Sequence, residues 1–120
     1  ESYEYKCGVH GFEKLLTLHG KLPDAIICAN NYIAMGCVDA LCRKNIRIPQ
    51  DIGIVAFDDY PLSQVIEPQL TIVDINVRDL GRQAGKLIID IIKHPNKQIQ
   101  TYVTTSNIVE RKSTRRTKQT

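Results

Sequence analysis

Apolar residues in the first half of the chain alternate between a helical period and short continuous runs. The stretch "GVHGFEKLLTLHG" has apolar residues at helical spacing, predicting a helix that ends at Gly20. "NNYIAMGCVDALCRKN" has the same period, predicting a second helix. Between and after these helices, "AIICA" (residues 25–29) and "DIGIVAF" (residues 51–57) are short, apolar and rich in β-branched residues. Such runs predict strands buried on both faces.

The order helix, strand, helix, strand, with short connections, predicts parallel strands joined by right-handed crossovers in an α/β layered sheet. In such sheets, ligands bind beyond the carboxyl ends of the strands. Two polar pairs fall there: Asn30-Asn31 after the first strand and Asp58-Asp59 after the second.

The second half has one strongly periodic segment. "PQLTIVDIN" predicts an extended segment after Pro68, and "VRDLGRQAGKLIIDIIKH" predicts the longest helix, with an apolar stripe along one side. Asn76 is its expected N-cap with Asp79 at the third position, and Pro95 ends it. "TYVTTSNIVE" predicts a broken pair of short strands.

Composition bounds the class of protein. A chain of 120 residues is one domain at most. No apolar run reaches the roughly 20 residues of a membrane span, and the polar start "ESYEYK" is not that of a signal peptide. The chain lacks an initial Met, so we expect a processed protein or a piece of a longer one.

The net charge of +3 comes from the end of the chain. Residues 111–120, "RKSTRRTKQT", contain five basic residues and no acidic one. Without them, 11 of the 16 basic residues remain against 13 acidic ones, so the body is not basic enough to hold a nucleic acid backbone. A basic terminal run of this kind predicts a solvated, disordered tail, with a nucleic acid arm as the alternative.

The four cysteines, Cys7, Cys28, Cys37 and Cys42, form no C-x-x-C pair and no cluster with the histidines. We therefore expect no metal site. Cys28 lies in a predicted strand and Cys37 on the apolar side of a predicted helix, where cysteine acts as a small hydrophobic residue. Free buried thiols fit a reducing cytosol.

The acidic pair Asp58-Asp59 is open to several interpretations: a metal site, a catalytic pair, a helix or loop cap, or a ligand clamp. Adjacent residues on an extended chain point to opposite sides, so at most one carboxylate faces a given ligand. A carboxylate beside Asn30 suits the hydroxyl groups of a sugar. No histidine lies near a predicted strand end, and the chain has no phosphate-binding glycine motif, so catalysis and nucleotide binding are not indicated.

An ordered set of short motifs runs from "LPDAIICANN" through "AMG", "IPQD", "VAFDD" and "PQLT" to "DLGRQAG" and "ERKST". These motifs resemble the C-terminal half of the effector-binding core of LacI/GalR-type transcriptional regulators. The matching residues are Pro23, Asp24, Ala25, Asn30, Ala34, Gly36, Pro49, Asp51, Phe57, Asp58, Asp59, Pro68, Leu70, Thr71, Leu80, Gly81 and Ala84, followed by the segment 110–114.

The resemblance implies a truncated type I periplasmic-binding-protein-like fold, in which this chain is part of a parallel-sheet α/β/α layered subdomain over residues 1–110. Helix 77–93 would belong to the N-terminal subdomain of the full fold. The implied function is that of a cytoplasmic sensor for a sugar or sugar-like metabolite, with no catalysis and no cofactor. Operator DNA would be bound only through the absent N-terminal domain. An exported sugar-binding receptor of a transporter, which shares the fold, is the alternative.

The resemblance also assigns residues. Asn30 and Asp58 would hydrogen-bond the effector, with Asn31 and Phe57 beside them, and Tyr3 falls where the family has a stacking aromatic residue. Asn31 replaces the usual Asp, Ala56 the usual Gly, and Ile75-Asn76 the usual Gln-Pro. Family members dimerise side by side, which implies a homodimer. Its interface would contain Ile33, Cys37, Leu62, Val65 and Ile66.

Overall fold

The structure, a computed structural model, describes residues 4–98 and 100–116. Helices and strands alternate through the first half as the apolar periods predict. A short helix, Pro61–Val65, also forms between the second and third strands. In chain order the elements are α1 (Tyr5–His19), β1 (Ala25–Cys28), α2 (Asn31–Arg43), β2 (Gly53–Phe57), α3 (Pro61–Val65), β3 (Thr71–Asp74), α4 (Val77–Lys93) and β4 (Asn107–Val109).

The four strands form one sheet in the order β1-β2-β3-β4. β1, β2 and β3 are parallel, with Cys28 opposite Ala56 and Ala56 opposite Ile72. β4 runs antiparallel to β3. The prediction of an α/β fold with a mainly parallel sheet is therefore confirmed.

The core lies between α1, α2 and one face of the sheet. Its fully buried side chains include Leu41 on α2 and Ile54 and Ile72 on the strands. The two helices approach closely at two glycines: a Cβ at Gly8 would lie 2.0 Å from the carbonyl oxygen of Ile33, and one at Gly36 would lie 2.0 Å from that of Tyr5. Only glycine permits this approach.

The expectation that both predicted strands are buried on both faces is wrong for β1. Side chains alternate across a strand, so Cys28 faces the core while Ile27 points to the opposite face and is 71% exposed. Phe57, at the end of β2, shares that second face and is 37% exposed. Among the described residues no helix covers this face around Ile27, so its apolar side chains remain open to solvent.

Helix α4 begins and ends where the sequence indicated. The Asn76 side chain accepts a hydrogen bond from the backbone N–H of Asp79, which confirms the predicted N-cap. No residue of α4 is buried, and its apolar stripe, including Ile88 and Ile92, faces solvent. In the segment 101–110 only one strand forms, β4, so the prediction of a pair of short strands is wrong.

Residues 111–116 are packed against the sheet, so the prediction of a disordered tail is wrong for them, while residues 117–120 lie outside the described part. Ser113 is fully buried between the amino ends of β2 and β3. It exchanges backbone and hydroxyl hydrogen bonds with Ile54, Gln69 and Thr71. The charge pattern predicts a solvated segment here and does not indicate that the serine within the basic run is buried.

Candidate functional site

The polar pairs that follow β1 and β2 come together at one edge of the sheet, as parallel pairing requires. The Asn31 side-chain nitrogen Nδ2 donates to the carbonyl oxygens of Phe57, at 2.8 Å, and Asp58, at 2.6 Å. These two hydrogen bonds join the start of α2 to the end of β2. The candidate site therefore consists of two adjacent turns that are linked by a single amide group.

Asn30 is the N-cap of α2. Its Oδ1 accepts a hydrogen bond of 2.9 Å from the backbone N–H of Ile33. This contact orients the side chain at the site edge and engages its oxygen in the helix terminus. Contact between Asn30 and an effector stays a prediction.

Asn31 is 2% exposed, and its Oδ1 accepts no hydrogen bond from any residue in 4–98 or 100–116. A buried polar atom without a partner costs roughly 1–3 kcal/mol. Both hydrogens of Nδ2 are directed at carbonyl oxygens, so rotating the amide by half a turn would place oxygen against oxygen. The unpaired acceptor is therefore a property of the site, because the donors of Asn31 fix its orientation.

Asp58 adopts a left-handed backbone conformation with φ of 69°, which is sterically unfavourable for a residue with a side chain. Its backbone N–H donates to the carbonyl oxygen of Val73, at 3.0 Å, and its own carbonyl accepts from Asn31. Its Oδ1 is buried and has no hydrogen-bond partner in the described part of the chain. Strain and an unpaired acceptor thus coincide on one residue, as is common at ligand sites.

Asp59 points away from this edge and contacts other groups. Its carboxylate accepts a hydrogen bond of 2.7 Å from the guanidinium of Arg111 and one of 2.8 Å from the Ser63 hydroxyl. Arg111 is the main reason that the pKa of Asp59 lies below its usual range, with smaller contributions from Ser63 and Gln64. The two adjacent carboxylates therefore have different surroundings.

The remaining assigned site residues are unevenly placed. Phe57 is partly exposed at the end of β2 and presents its carbonyl to Asn31. Tyr3 lies outside the described residues. Two aromatic residues at this edge escaped the sequence reasoning: the rings of Tyr32 and Tyr60 are 6.5 Å apart and about half exposed. Each directly follows a polar pair, which is the signal that would have identified them.

Metal chemistry has no support at this edge. No group of three or more metal-ligating side chains occurs within residues 4–98 and 100–116. Of the two acidic residues, Asp59 already forms an ion pair with Arg111. The unpaired oxygens of Asn31 and Asp58 instead suit hydrogen bonds donated by hydroxyl groups.

The five residues assigned to a dimer interface do not share one surface. Cys37 is 5% exposed and lies in the core of its own chain, so its assignment to an interface is wrong. Ile33 and Ile66 are partly buried and pack against the same core. Leu62 and Val65 are 38% and 75% exposed, so these two remain available to a partner.

Comparisons with protein families, with known proteins and with solved structures relate the chain to periplasmic binding protein-like domains and to transcriptional regulators. Residues 1–114 match the family model of the periplasmic binding protein-like domain. The chain is 35% identical over 101 residues to the HTH-type transcriptional repressor PurR of Haemophilus influenzae, covering 84% of this chain and 30% of that protein. It is 32% identical over 111 residues to the ribose operon repressor of the same organism, covering 92% of this chain and 33% of the repressor.

A solved LacI-type transcription regulator from Bifidobacterium animalis superposes with a TM-score of 0.86 at 31% identity, over 94% of this chain and 40% of that one. The chain thus spans about a third of the length of the curated relatives it matches. The residues that the family model matches include both turns of the candidate site. The chain belongs to the periplasmic binding protein-like domain family and matches a fragment of the effector-binding domain of LacI/GalR-type transcriptional regulators.

Proposed function

We propose that this chain is the effector-sensing portion of a DNA-binding transcriptional regulator and that it binds a neutral, hydroxyl-rich metabolite such as a sugar, without catalysing a reaction. The observation that carries the proposal is the pair of buried, unpaired acceptors on Asn31 and Asp58 at the carboxyl ends of β1 and β2. This is the position at which α/β sheets bind ligands.

The chemistry of the site favours a ligand that donates hydrogen bonds. Both unpaired atoms are acceptor oxygens, one of them from a carboxyl group, so hydroxyl groups fit and the oxygens of a phosphate or carboxylate group would be repelled. A buried polar atom without a partner is stabilised most by a ligand that supplies the missing hydrogen bond. Sugars offer several adjacent hydroxyl groups, which suits two turns linked by one amide.

The second wall of the site would come from the part of the regulator that this chain does not include. The exposed apolar stripe of α4 would pack against that N-terminal subdomain, and operator DNA would be bound by a domain further toward the N-terminus. The names of the matched relatives are those of transcriptional repressors, which favours a cytoplasmic regulator over an exported transport receptor. No helix in the described ranges is long and apolar enough to span a bilayer.

Thermal denaturation of the full-length protein against a panel of sugars and sugar phosphates tests this function. A sugar that binds the native state raises the melting temperature. We expect Asp58→Ala to abolish the shift while the fold is retained. Asp24→Ala, at the opposite edge of the sheet, is the matched control and should leave the shift unchanged. An undiminished shift in the Asp58 variant would refute the assignment of the site.

We further propose that the regulator is a homodimer whose contact includes Leu62 and Val65, the exposed members of the assigned interface. A twofold contact buries the same patch on both subunits, which explains large apolar residues on an exposed short helix. The double variant Leu62→Asp, Val65→Asp of the full-length protein should sediment as a monomer. A variant that still sediments as a dimer places the interface elsewhere.

A further inference from the structure

Two of the four cysteines lie against each other in the core. Cys28 ends β1 and is 3% exposed, and Cys37 lies on α2 and is 5% exposed. Their sulfur atoms are 3.8 Å apart, and both thiols are free. We propose that Cys28 and Cys37 form an oxidation site, at which a hydroperoxide converts the two thiols into an intramolecular disulfide.

The geometry requires only a small movement. A disulfide bond is about 2.05 Å long, so the two sulfur atoms must approach by roughly 1.7 Å. β1 and α2 are joined by a two-residue turn, so the two elements are neighbours in the chain as well as in space. Rotation of the cysteine side chains moves the sulfur atoms by distances of this order without separating the helix from the strand.

The two thiols are not equivalent. The Cys28 thiol donates to the sulfur of Cys37, which in turn donates to the carbonyl oxygen of Gly8 at 3.4 Å. The hydrogen bond from Cys28 lowers the pKa of Cys37, whereas the same contact and burial raise the pKa of Cys28. The hydrogen bond that Cys28 donates favours the thiolate of Cys37, which is the reactive form of cysteine, so we assign the attack on the oxidant to Cys37.

A path from the surface leads to this pair. A cavity of about 200 Å³ is lined by both cysteines, by Gly11 and Ala29, and by Ile27, which is largely exposed. A Cβ added at Gly11 would meet no atom within 4 Å, so the wall is open at that point. A small hydroperoxide therefore has room to reach a sulfur atom that is otherwise enclosed.

The reaction balances in two steps. The Cys37 thiolate attacks one peroxide oxygen, the O–O bond breaks, and Cys37 becomes a sulfenic acid while the other oxygen leaves as water or an alcohol. The Cys28 sulfur then attacks the Cys37 sulfur, the S–O bond breaks, and a second water leaves with the thiol proton. The two thiols lose two electrons and two protons in total, and the peroxide gains them.

The bond would connect the end of β1 to α2 across the turn that contains Asn30 and begins the helix at Asn31. Both elements position the candidate site, so the oxidised protein would have a more constrained site edge. The proposal does not depend on which effector binds, and its test needs none.

Peptide mapping of the full-length protein tests the site. The reduced protein is treated with hydrogen peroxide under native conditions, then denatured, alkylated and cleaved before aspartate residues. Cleavage before Asp24 and Asp39 yields the peptide 24–38, which contains Cys28 and Cys37 but excludes Cys42. We expect this peptide without alkylation and lighter by two hydrogen atoms, and reduction should restore both alkylation sites. Cys42, which is exposed, is the internal control and should appear outside any disulfide.

The same oxidation in concentrated guanidinium chloride shows whether the fold selects the pair. Native protein should give mainly the Cys28–Cys37 disulfide, whereas unfolded protein should give a mixture that includes Cys42. In the variant Cys37→Ser, with folding checked by circular dichroism, Cys28 should be recovered as an alkylated thiol. Recovery of both cysteines fully alkylated from native protein, under conditions that oxidise Cys42, would overturn the proposal. Disulfides from either cysteine to Cys7 would do the same.

Discussion

The carboxyl and amino ends of the parallel strands are built in opposite ways. At the carboxyl ends of β1 and β2, Asn31 and Asp58 each have a buried oxygen without a partner in the described chain, and Asp58 has a positive φ angle. At the amino ends of β2 and β3, Ser113 is fully buried, and its N–H, carbonyl and hydroxyl groups all make hydrogen bonds.

This difference separates stability from function along one sheet. The amino end satisfies each polar group that it buries around Ser113, which makes it a source of stability. The carboxyl end retains unpaired acceptors and backbone strain, both of which cost stability. In the proposed site, a ligand that supplies donors would pair these acceptors. Local conflicts of this kind concentrate at functional sites because selection acts there on binding.

The largest expected effect is at the amino end. Ser113→Ala removes the hydroxyl that donates to the Ile54 carbonyl at 2.6 Å and accepts from the Thr71 N–H at 2.8 Å. Two buried backbone groups lose partners, so we expect the free energy of unfolding to fall by about 3 kcal/mol. Urea unfolding of the full-length protein followed by circular dichroism measures this. Ser106→Ala, at an exposed position, should have almost no effect. A similar loss in both variants would show that the buried hydrogen bonds of Ser113 do not explain the loss.

The Arg111–Asp59 ion pair should rank second. Its side chains are 14% and 25% exposed, and Arg111 also donates to Ser63 and to the Leu70 carbonyl. We expect Arg111→Gln to lower the free energy of unfolding by about 2 kcal/mol. Lys112→Gln removes an exposed ion pair with Glu67 and should cost at most about 0.5 kcal/mol.

The same pair gives a pH dependence of definite sign. Arg111 lowers the pKa of Asp59 in the folded protein. Its stabilising contribution is therefore complete above the unfolded value of about 3.9 and is lost as the pH falls through the lower, folded pKa. Urea unfolding repeated across the acid range should show this loss in the natural protein and a weaker one in Arg111→Gln. Parallel curves would mean that Arg111 does not set the charge state of Asp59.

A smaller effect is expected at the carboxyl end. Asn31→Ala removes two hydrogen bonds to carbonyl oxygens, but it also removes the unpaired Oδ1. The two consequences oppose each other, so we expect a loss of only about 1 kcal/mol in urea unfolding, less than for Ser113→Ala. A loss equal to that of Ser113→Ala would show that removing the unpaired Oδ1 does not offset the loss of the two hydrogen bonds.

The smallest effect concerns the exposed Arg47–Asp51 pair before β2. Two contacts from Arg47, through its side chain and its backbone N–H, lower the pKa of Asp51 to about 2. Titration of the Asp51 carboxyl carbon by NMR should give that value and, in Arg47→Gln, a value nearer 3.9. The linked stability is present above the unfolded pKa and disappears as the pH falls toward 2. An unchanged pKa in the variant would show that the Arg47 side chain does not lower the pKa of Asp51.

Sequence patterns predicted what depends on neighbours in the chain. Helical periods located α1, α2 and α4, and the Asn76 cap followed from residues three positions apart. The contact between Asp59 and Arg111 joins residues 52 positions apart, and no local period encodes it. The basic composition of 111–116 instead indicated a solvated tail. The candidate edge was predictable because topology alone places strand ends together, whereas the unpaired oxygens depend on side-chain orientation.

Placement of Ser113 between β2 and β3 also constrains the order of events during synthesis. Its hydroxyl donates a hydrogen bond to the Ile54 carbonyl, 59 residues earlier in the chain. A ribosome therefore releases both strands, α4 and β4 before the serine that completes their junction emerges. Until then, the N–H of Ile54 and the N–H of Thr71 have no native partner at this end. The nascent chain must therefore keep these strand ends free of incorrect pairing until the serine arrives, because unpaired strands are prone to misassembly.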